Sequence, residues 1–443
     1  MRRPRAMRFV KTAIVLLGCA VCWAATRQPA AAAPKMSFCA GGWQIDVVAV
    51  RAPSSGPELC PPRPDVLERL RRTGRLEALI ATLRSARARG LDAPVPRLAA
   101  MPPTMKALVV LLDFSDNLAG QITGADPSRS HYQELLDSLG TYATGSMRDY
   151  YLEQSYGTFD FRTDVLDGAG GAIASWYRAP LTYAYYVDGQ YGLGTYPRSG
   201  EKMAEDAAAL ADPDVDYSQY DGDGDGYVDA FAVIHAGEDG GTTGDPNMVW
   251  GHARSIPGGG YLSAEGVRVR YYMTVAENCT VAVPCHEFGH IFGLPDLYDR
   301  DMDSPGIGYW SLMSNCWLGN PSGSRPPHLD IWCKTELGWV TPIQPTQDVY
   351  GASLPPIETD PVAYRLYTNG QDSDEYWLVT NRQKLGFDDY LPGAGLLIWH
   401  IDTTVSNNRD QNHRMVDLEQ ADGLYELNAV PGNQGDTGDP WPG

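Results

Sequence analysis

The residues best suited to chemistry lie in the run HEFGHIFGLPDLYD, His286 to Asp299. His286 and His290 are four apart, a separation that puts both imidazoles on one helix face and lets each offer a ring nitrogen to one cation. Zinc suits that pair, and Glu287, one residue on, is placed to reach a water rather than the metal. Gly293 permits a positive φ that ends the helix and turns the chain back. Asp296 then returns to the same point as third ligand, with Asp299 as the substitute. Three ligands, an open position and a base make a set suited to metal-assisted hydrolysis. Two surface histidines on an ordinary helix are the bland alternative.

Other residues surround this set. In DGDGDGYVD, the residues Asp221, Asp223, Asp225, Tyr227 and Asp229 alternate as at the start of a calcium loop. Ala232 stands where such a loop carries its bidentate Glu, so Glu238 or Asp239 is expected to supply the last ligand. The acids of the tail GNQGDTGDPWPG are a weaker candidate cation site. GIGYWSLMS, Gly306 to Ser314, is a tight apolar turn downstream of the metal helix, and Met313 fits the Met-turn role of an apolar floor beneath the ion. Tyr298 and Tyr309 are both near enough in sequence to aid the reaction, and sequence alone does not choose between them. His235, His252 and His400 read as structural.

Holding these groups requires a scaffold. KALVVLLD, Lys106 to Asp113, is a continuous apolar run that predicts a buried strand. Helices are expected over Arg129 to Tyr142, Gly145 to Gln154, Gly200 to Leu210 and Arg325 to Val340, with strands over Ala230 to His235 and Val267 to Thr274. The second of these strands is the expected sheet edge for a peptide. Alternating strands and helices imply an α/β (α+β) domain. From Pro342 on, aromatic and β-branched runs such as EYWLVTNRQ and GLLIWHID predict a β-rich C-terminal domain. The chain stops in a loop composition, which reads as a piece of a longer protein.

The 443 residues carry a net charge of −20, unevenly spread. Residues 1–100 hold 17 Lys and Arg against 6 Asp and Glu, and the rest hold 18 against 49. An acidic body argues against a nucleic-acid partner. Five basic residues, then the apolar run Thr12 to Ala25, then Ala30 to Ala33 form a secretory signal peptide, too short to span a bilayer. The chain is therefore expected to be secreted, with no stable membrane insertion once the signal is removed; Cys19, in LLGC, offers lipid anchoring as the lesser alternative. Asp65 to Gly90 reads as one basic amphipathic helix of a pro-segment that attracts the acidic body and covers its cleft. Removal near Ala33 leaves six cysteines, an even number that in export implies disulfides, Cys39 with Cys60 and Cys316 with Cys333 by proximity. A free Cys60 capping the metal in a latent enzyme is the rival.

Seven segments, LVVLLDFSD, GSMRDYYLEQSYG, DGDGDGYVDAFAVIHAG, HEFGHIFGLPDLYD, GIGYWSLMS, RPPHLDIWCKTELGWV and DDYLPGAGLLIWHID with LEQADG, occur in an order that resembles the immune inhibitor A family of secreted bacterial metallopeptidases. The resemblance implies a metzincin-like zinc endopeptidase fold, a pro-segment and calcium sites. It also supports Asp296 as the third ligand, at the place where the familiar metzincin signature has histidine. The implied organisation is a signal peptide over 1–33, a basic pro-segment and linker over 34–103, a catalytic domain over 104–341 and the β-rich domain over 342–443. The expected substrates are proteins or peptides. The alternative from another class is a calcium-stabilised surface or adhesion protein with a vestigial peptidase site.

Overall fold

The computed structural model describes residues 58–88, 101–168, 175–429 and 432–441. The expected signal peptide, Cys19 and Cys39 lie outside them. Thirteen strands are labelled in chain order: β1 (Glu58–Leu59), β2 (Thr104–Asp113), β3 (Asp160–Leu166), β4 (Tyr177–Arg178), β5 (Phe231–His235), β6 (His252–Ser255), β7 (Tyr261–Leu262), β8 (Arg268–Val269), β9 (Tyr271–Ala276), β10 (Tyr364–Tyr367), β11 (Glu375–Arg382), β12 (Gly395–Asp402) and β13 (Val416–Leu418).

The main sheet runs β1-β6-β9-β5-β2-β3, with β4 beside the end of β2. Its centre is parallel, β9 to β5 to β2 to β3. Parallel strands are covered on both faces, so β2 and β5 can be apolar without alternation, and every residue of β5 is buried. The helices Arg129–Asp137 and Met147–Gln154 pack on β3, Gly200–Ala211 packs on β2, β5 and β9, and the metal helix Ala282–Ile291 packs on β9 and β6. Ser146 and Asp149 close a capping box that starts the second of these helices.

Four expectations are corrected. The segment from Val267 to Thr274 breaks at Arg270 into β8 and β9, and β9 is an interior strand, paired on both sides. The edge beside the metal helix is the antiparallel strand β6, and β1 is laid against it. The basic segment forms two helices, Pro64–Arg72 and Leu76–Ala88, because Gly74 turns the chain at φ 68°. The helix expected from Arg325 is confined to Ile331–Glu336: Pro326 and Pro327 hold the preceding residues extended, and the Asp330 side chain caps the first turn. The first expected helix likewise stops at Asp137, where Ser138 turns extended.

The C-terminal strands form an antiparallel sheet, β10-β11-β12-β13. Leu378, Leu397, Trp399 and Ile401 join the same apolar core as β2 and β5, whereas Trp377, Val379 and Ile398 belong to a separate cluster with Val349 and Tyr364. The tail then returns to the turn Gly308–Trp310: Tyr309 N–H donates to Gln434 O at 2.7 Å, and Trp310 Nε1 to Asp439 Oδ2 at 3.0 Å. Among the described residues no helix is long and apolar enough to cross a membrane.

Candidate metal centre

The metal helix ends in a Schellman motif. Leu294 N–H bonds Gly289 O and Gly293 N–H bonds His290 O, with Gly293 at φ 90°. This turn has two uses. It leaves Leu294 O 2.8 Å from His290 Nδ1, and it sends the chain back so that Asp296 meets the histidines. Leu312 O, in the turn before Met313, accepts from His286 Nδ1 at 2.9 Å. Each Nδ1 faces a carbonyl, which only accepts and so favours the proton on Nδ1, while His286 Nε2 faces a carbonyl as well, that of Leu59.

The two Nε2 atoms converge with a carboxylate. His286 Nε2 is 3.1 Å from His290 Nε2, and each is 3.3 Å from Asp296 Oδ1. Such a cluster is favourable when a proton or a metal cation lies among the three atoms. Ligand atoms about 2.0 Å from a tetrahedral zinc stand about 3.3 Å from one another, so the donor set fits zinc. Arg300 Nε lies 3.5 Å from Asp296 Oδ2 on the far side of the carboxylate. Burial raises the Asp296 pKa, but His290, His286 and Arg300 outweigh it and hold the group well below the usual range. Asp299 is turned away: it accepts from Ser304 Oγ at 2.8 Å and from Asp301 N–H. Burial and neighbouring Asp303 push it up to about 8.

Glu287 is fully buried, and neither carboxylate oxygen accepts a hydrogen bond of ordinary geometry. Burial, Asp296 and Asp239 push its pKa well above the usual carboxylate range, offset in part by the Cys60 backbone N–H nearby. A buried carboxylate left without a bond is set to accept a proton. Met313 lies under the helix, its sulfur 2.7 Å from where a Cβ on Gly289 would stand, so only glycine fits there.

The residues that sequence reasoning missed come from the N-terminal segment. Leu59 O lies 3.1 Å from His286 Nε2, and Tyr298 Oη donates to the same oxygen at 3.2 Å. Cys60 N–H bonds Gly251 O, Trp250 Nε1 donates to Cys60 O and Trp317 Nε1 to Pro61 O, both at 2.7 Å. A peptide carbonyl therefore sits at the metal centre, fixed by backbone pairing to β6. The cue in the sequence was faint, the apolar Leu59 ahead of a Cys-Pro-Pro run that favours extended backbone. Tyr298 is thus singled out from Tyr309, which is half-buried, its pKa raised by burial and by Cys316 and Asp65 nearby.

Of the expected cysteine pairings, Cys39 with Cys60 falls partly outside the described residues, and Cys316 with Cys333 is not formed. None of the five described cysteines is in a disulfide. Cys316 is not bonded to Cys333, which sits in the helix Ile331–Glu336. Cys60 does not cap the metal: side chains alternate along extended chain, so with Leu59 O facing His286 the Cys60 sulfur faces Cys316 instead, at 3.6 Å. Of the expected calcium ligands, Asp221, Asp223 and Asp225 come together. Asp229 accepts from Gly222 N–H, and Tyr227 N–H bonds Asp225. Glu238 and Asp239 are elsewhere, Glu238 lining a cavity with Asp116 and Asp239 capping the turn at Gly241. In the tail, Asp422, Glu426 and Asp436 converge, exposed or half-buried. His235 and His252 are buried and bonded to carbonyls, and His400 meets Glu375.

Residues 100–340 match the family model described as immune inhibitor A peptidase M6, catalytic domain. The chain is 30% identical over 282 residues to the pre-pro-metalloprotease PrtV of Vibrio cholerae serotype O1, covering 53% of this chain and 30% of that protein. It is 30% identical over 268 residues to immune inhibitor A of Bacillus thuringiensis subsp. alesti, covering 50% of this chain and 38% of that one. The chain thus spans about a third of the length of these curated relatives.

Proposed function

Because this chain belongs to the immune inhibitor A family of M6 peptidases, we propose that it is a secreted, metzincin-like zinc metalloendopeptidase with its catalytic machinery in residues 104–341. The observation that carries this is the convergence of His286 Nε2, His290 Nε2 and one Asp296 carboxylate oxygen beside the buried carboxylate of Glu287. His286, His290 and Asp296 would hold the ion, which when bound supplies Lewis acidity to a water and to a substrate carbonyl.

The chain's own groups do the rest. Glu287 takes the proton of the attacking water and returns it to the leaving nitrogen, a role its raised proton affinity suits. Tyr298 Oη, which here donates to Leu59 O, donates to the substrate oxygen as charge develops on it. Leu312 O and Leu294 O keep both imidazoles in the right tautomer. Once β1 is gone, β6 is an open edge to which an extended peptide can add.

A second reading concerns residues 58–88, which we read as a segment that keeps the enzyme latent. Leu59 O occupies the position a scissile carbonyl would take, and β1 fills the edge a substrate needs. Calcium is not part of the proposal, since acidic groups like Asp221, Asp223 and Asp225 gather in solvent without an ion. A calcium-stabilised adhesion protein with a vestigial site would not need Glu287 kept dry beside an intact ligand set.

The test uses the processed form. Glu287→Gln should keep its zinc and lose casein hydrolysis; hydrolysis that survives this change refutes the base. Tyr298→Phe should keep zinc and KM, lower kcat about 10²-fold or more, and weaken a phosphinic peptide inhibitor in parallel. A purified protein without zinc would favour the adhesion reading.

A further inference from the structure

The N-terminal segment meets the body of the protein at two kinds of contact. One is apolar: Val66, Leu70, Leu79 and Leu83 pack in a cluster with Tyr191, Leu193, Trp250 and Met302. The other is a pair of thiols. Cys60 Sγ and Cys316 Sγ are 3.6 Å apart, each in a fully buried side chain. The backbone on either side of Cys60 is pinned, by Cys60 N–H to Gly251 O, by Trp250 Nε1 to Cys60 O and by Trp317 Nε1 to Pro61 O. Cys316 is equally fixed, between Asn315, whose N–H bonds Ser311 O, and Trp317, whose N–H bonds Asn315 Oδ1. Two sulfurs held in contact by rigid backbone need only a side-chain rotation to approach the roughly 2.05 Å of a bond.

We propose that Cys60 and Cys316 are a cross-linking site, and that their disulfide fastens the segment over the metal centre to the loop that follows Met313. The inference rests on the reading of residues 58–88 as a latency segment. Bond formation is by exchange with an organic disulfide: one cysteine thiolate attacks it and releases one thiol, and the second cysteine displaces the other. Two protein thiols are oxidised, one disulfide is reduced to two thiols, and no electron is left over. An exported chain meets such an oxidant outside the cytoplasm.

The consequence is a latency with two locks. A cut between residues 88 and 101 breaks the chain but leaves the segment bonded to Cys316, with Leu59 O still at His286. Both sulfurs are buried, so a reductant reaches the bond only when the segment loosens. Burial also keeps the Cys60 thiol well above its ordinary pKa, which makes the reduced pair slow to re-form once the protein is folded.

The experiment uses the full chain with a site for a specific protease replacing residues 92–97. The protein is refolded with oxidised and reduced glutathione, alkylated while denatured, and mapped by mass spectrometry without reduction. The expected result is a cross-linked peptide pair containing Cys60 and Cys316. After the cut, the N-terminal fragment should stay with the body on a denaturing gel without reductant and separate with a phosphine reductant. In Cys316→Ser it should separate without reductant. Cys60 recovered in alkylated form, or bonded to another cysteine, overturns the proposal. Mapping is independent of catalysis, so a mapped Cys60–Cys316 bond whose reduction after the cut yields no hydrolysis would count against the peptidase reading and leave the cross-link standing.

Discussion

If residues 58–88 hold the enzyme latent, loosening their packing should raise activity without any cut. Leu70 is the position to perturb. Its side chain is 1% exposed and packs in the cluster with Tyr191, Leu193 and Trp250. Its methyls lie 3.1 and 3.3 Å from where a Cβ on Gly244 would stand, so the fit against that turn is close. Deleting such a buried leucine to alanine costs about 2–5 kcal/mol, the lost transfer of the side chain plus the cavity it leaves. The loss falls on the docked state, because an undocked segment already exposes Leu70. The undocked fraction should therefore rise about 30- to 5000-fold, until it saturates. The assay is hydrolysis of a quenched fluorescent peptide by the uncut full chain, under reducing conditions so that no cross-link opposes the change. Leu70→Ala should be faster than the parent by a factor in that range, with the same rate once both are cut and the segment washed away. Equal rates before cutting, together with a higher rate after it, would refute the idea that this packing governs access.

Two further predictions test other parts of the structure. Arg300→Met should leave the fold intact but weaken zinc binding about 10- to 100-fold, measured by competition with a chelator, since Arg300 orients the far oxygen of Asp296. His235 and His252 are buried neutral, held down to about 4 and about 3 mainly by burial. Their pKa values are lower in the folded state than the ordinary 6.5, so the unfolded chain binds more protons between these values and stability falls as pH drops from 6.5 towards 4. Urea midpoints in that window should show a slope smaller by about one proton, about 1.4 kcal/mol per pH unit, in His252→Gln; an unchanged slope refutes the assignment.

How much of this was legible in the sequence depends on whether the cause was local. The metal helix, its histidines and the turn at Gly293 follow from i, i+4 spacing and one positive φ, so they could be read directly. Asp296 could be placed as well, because a short turn from that helix returns it to the histidines, whereas Met313 was read from its own tight apolar turn further along the chain. The edge strand could not be read: β6 is four residues, HARS, with no apolar run to mark it as a strand, and which strand is outermost depends on pairings set by residues far away. Cys316 was paired by nearness in sequence, whereas its spatial neighbour is 256 positions earlier. The break at Gly74 was within reach, since a glycine inside a helical pattern is a known interruption. Leu59 carried only the faint cue of the Cys-Pro-Pro run after it, because the group that acts there is a backbone carbonyl that every residue possesses.

That carbonyl raises the question of why the enzyme does not cut its own segment. The Leu59–Cys60 bond presents its oxygen to His286 and Tyr298 much as a substrate would. Hydrolysis also needs a water and a leaving nitrogen free to take a proton. Here Glu287 is fully buried, close against the Cys60 backbone, and Cys60 N–H is engaged with Gly251 O. With the ion in place the bond would be polarised yet packed against buried side chains, and its nitrogen is held by Gly251 O, which would keep the product ends together. Loosening the segment removes both protections before it removes the carbonyl. Leu70→Ala in the uncut, zinc-loaded chain should accordingly cleave itself between Leu59 and Cys60, giving a new N-terminus at Cys60 by mass spectrometry. Glu287→Gln in the same background should abolish that cut. Cleavage that persists with Gln at 287, or that occurs only between other molecules and scales with concentration, would show that the bond is not being presented to its own site.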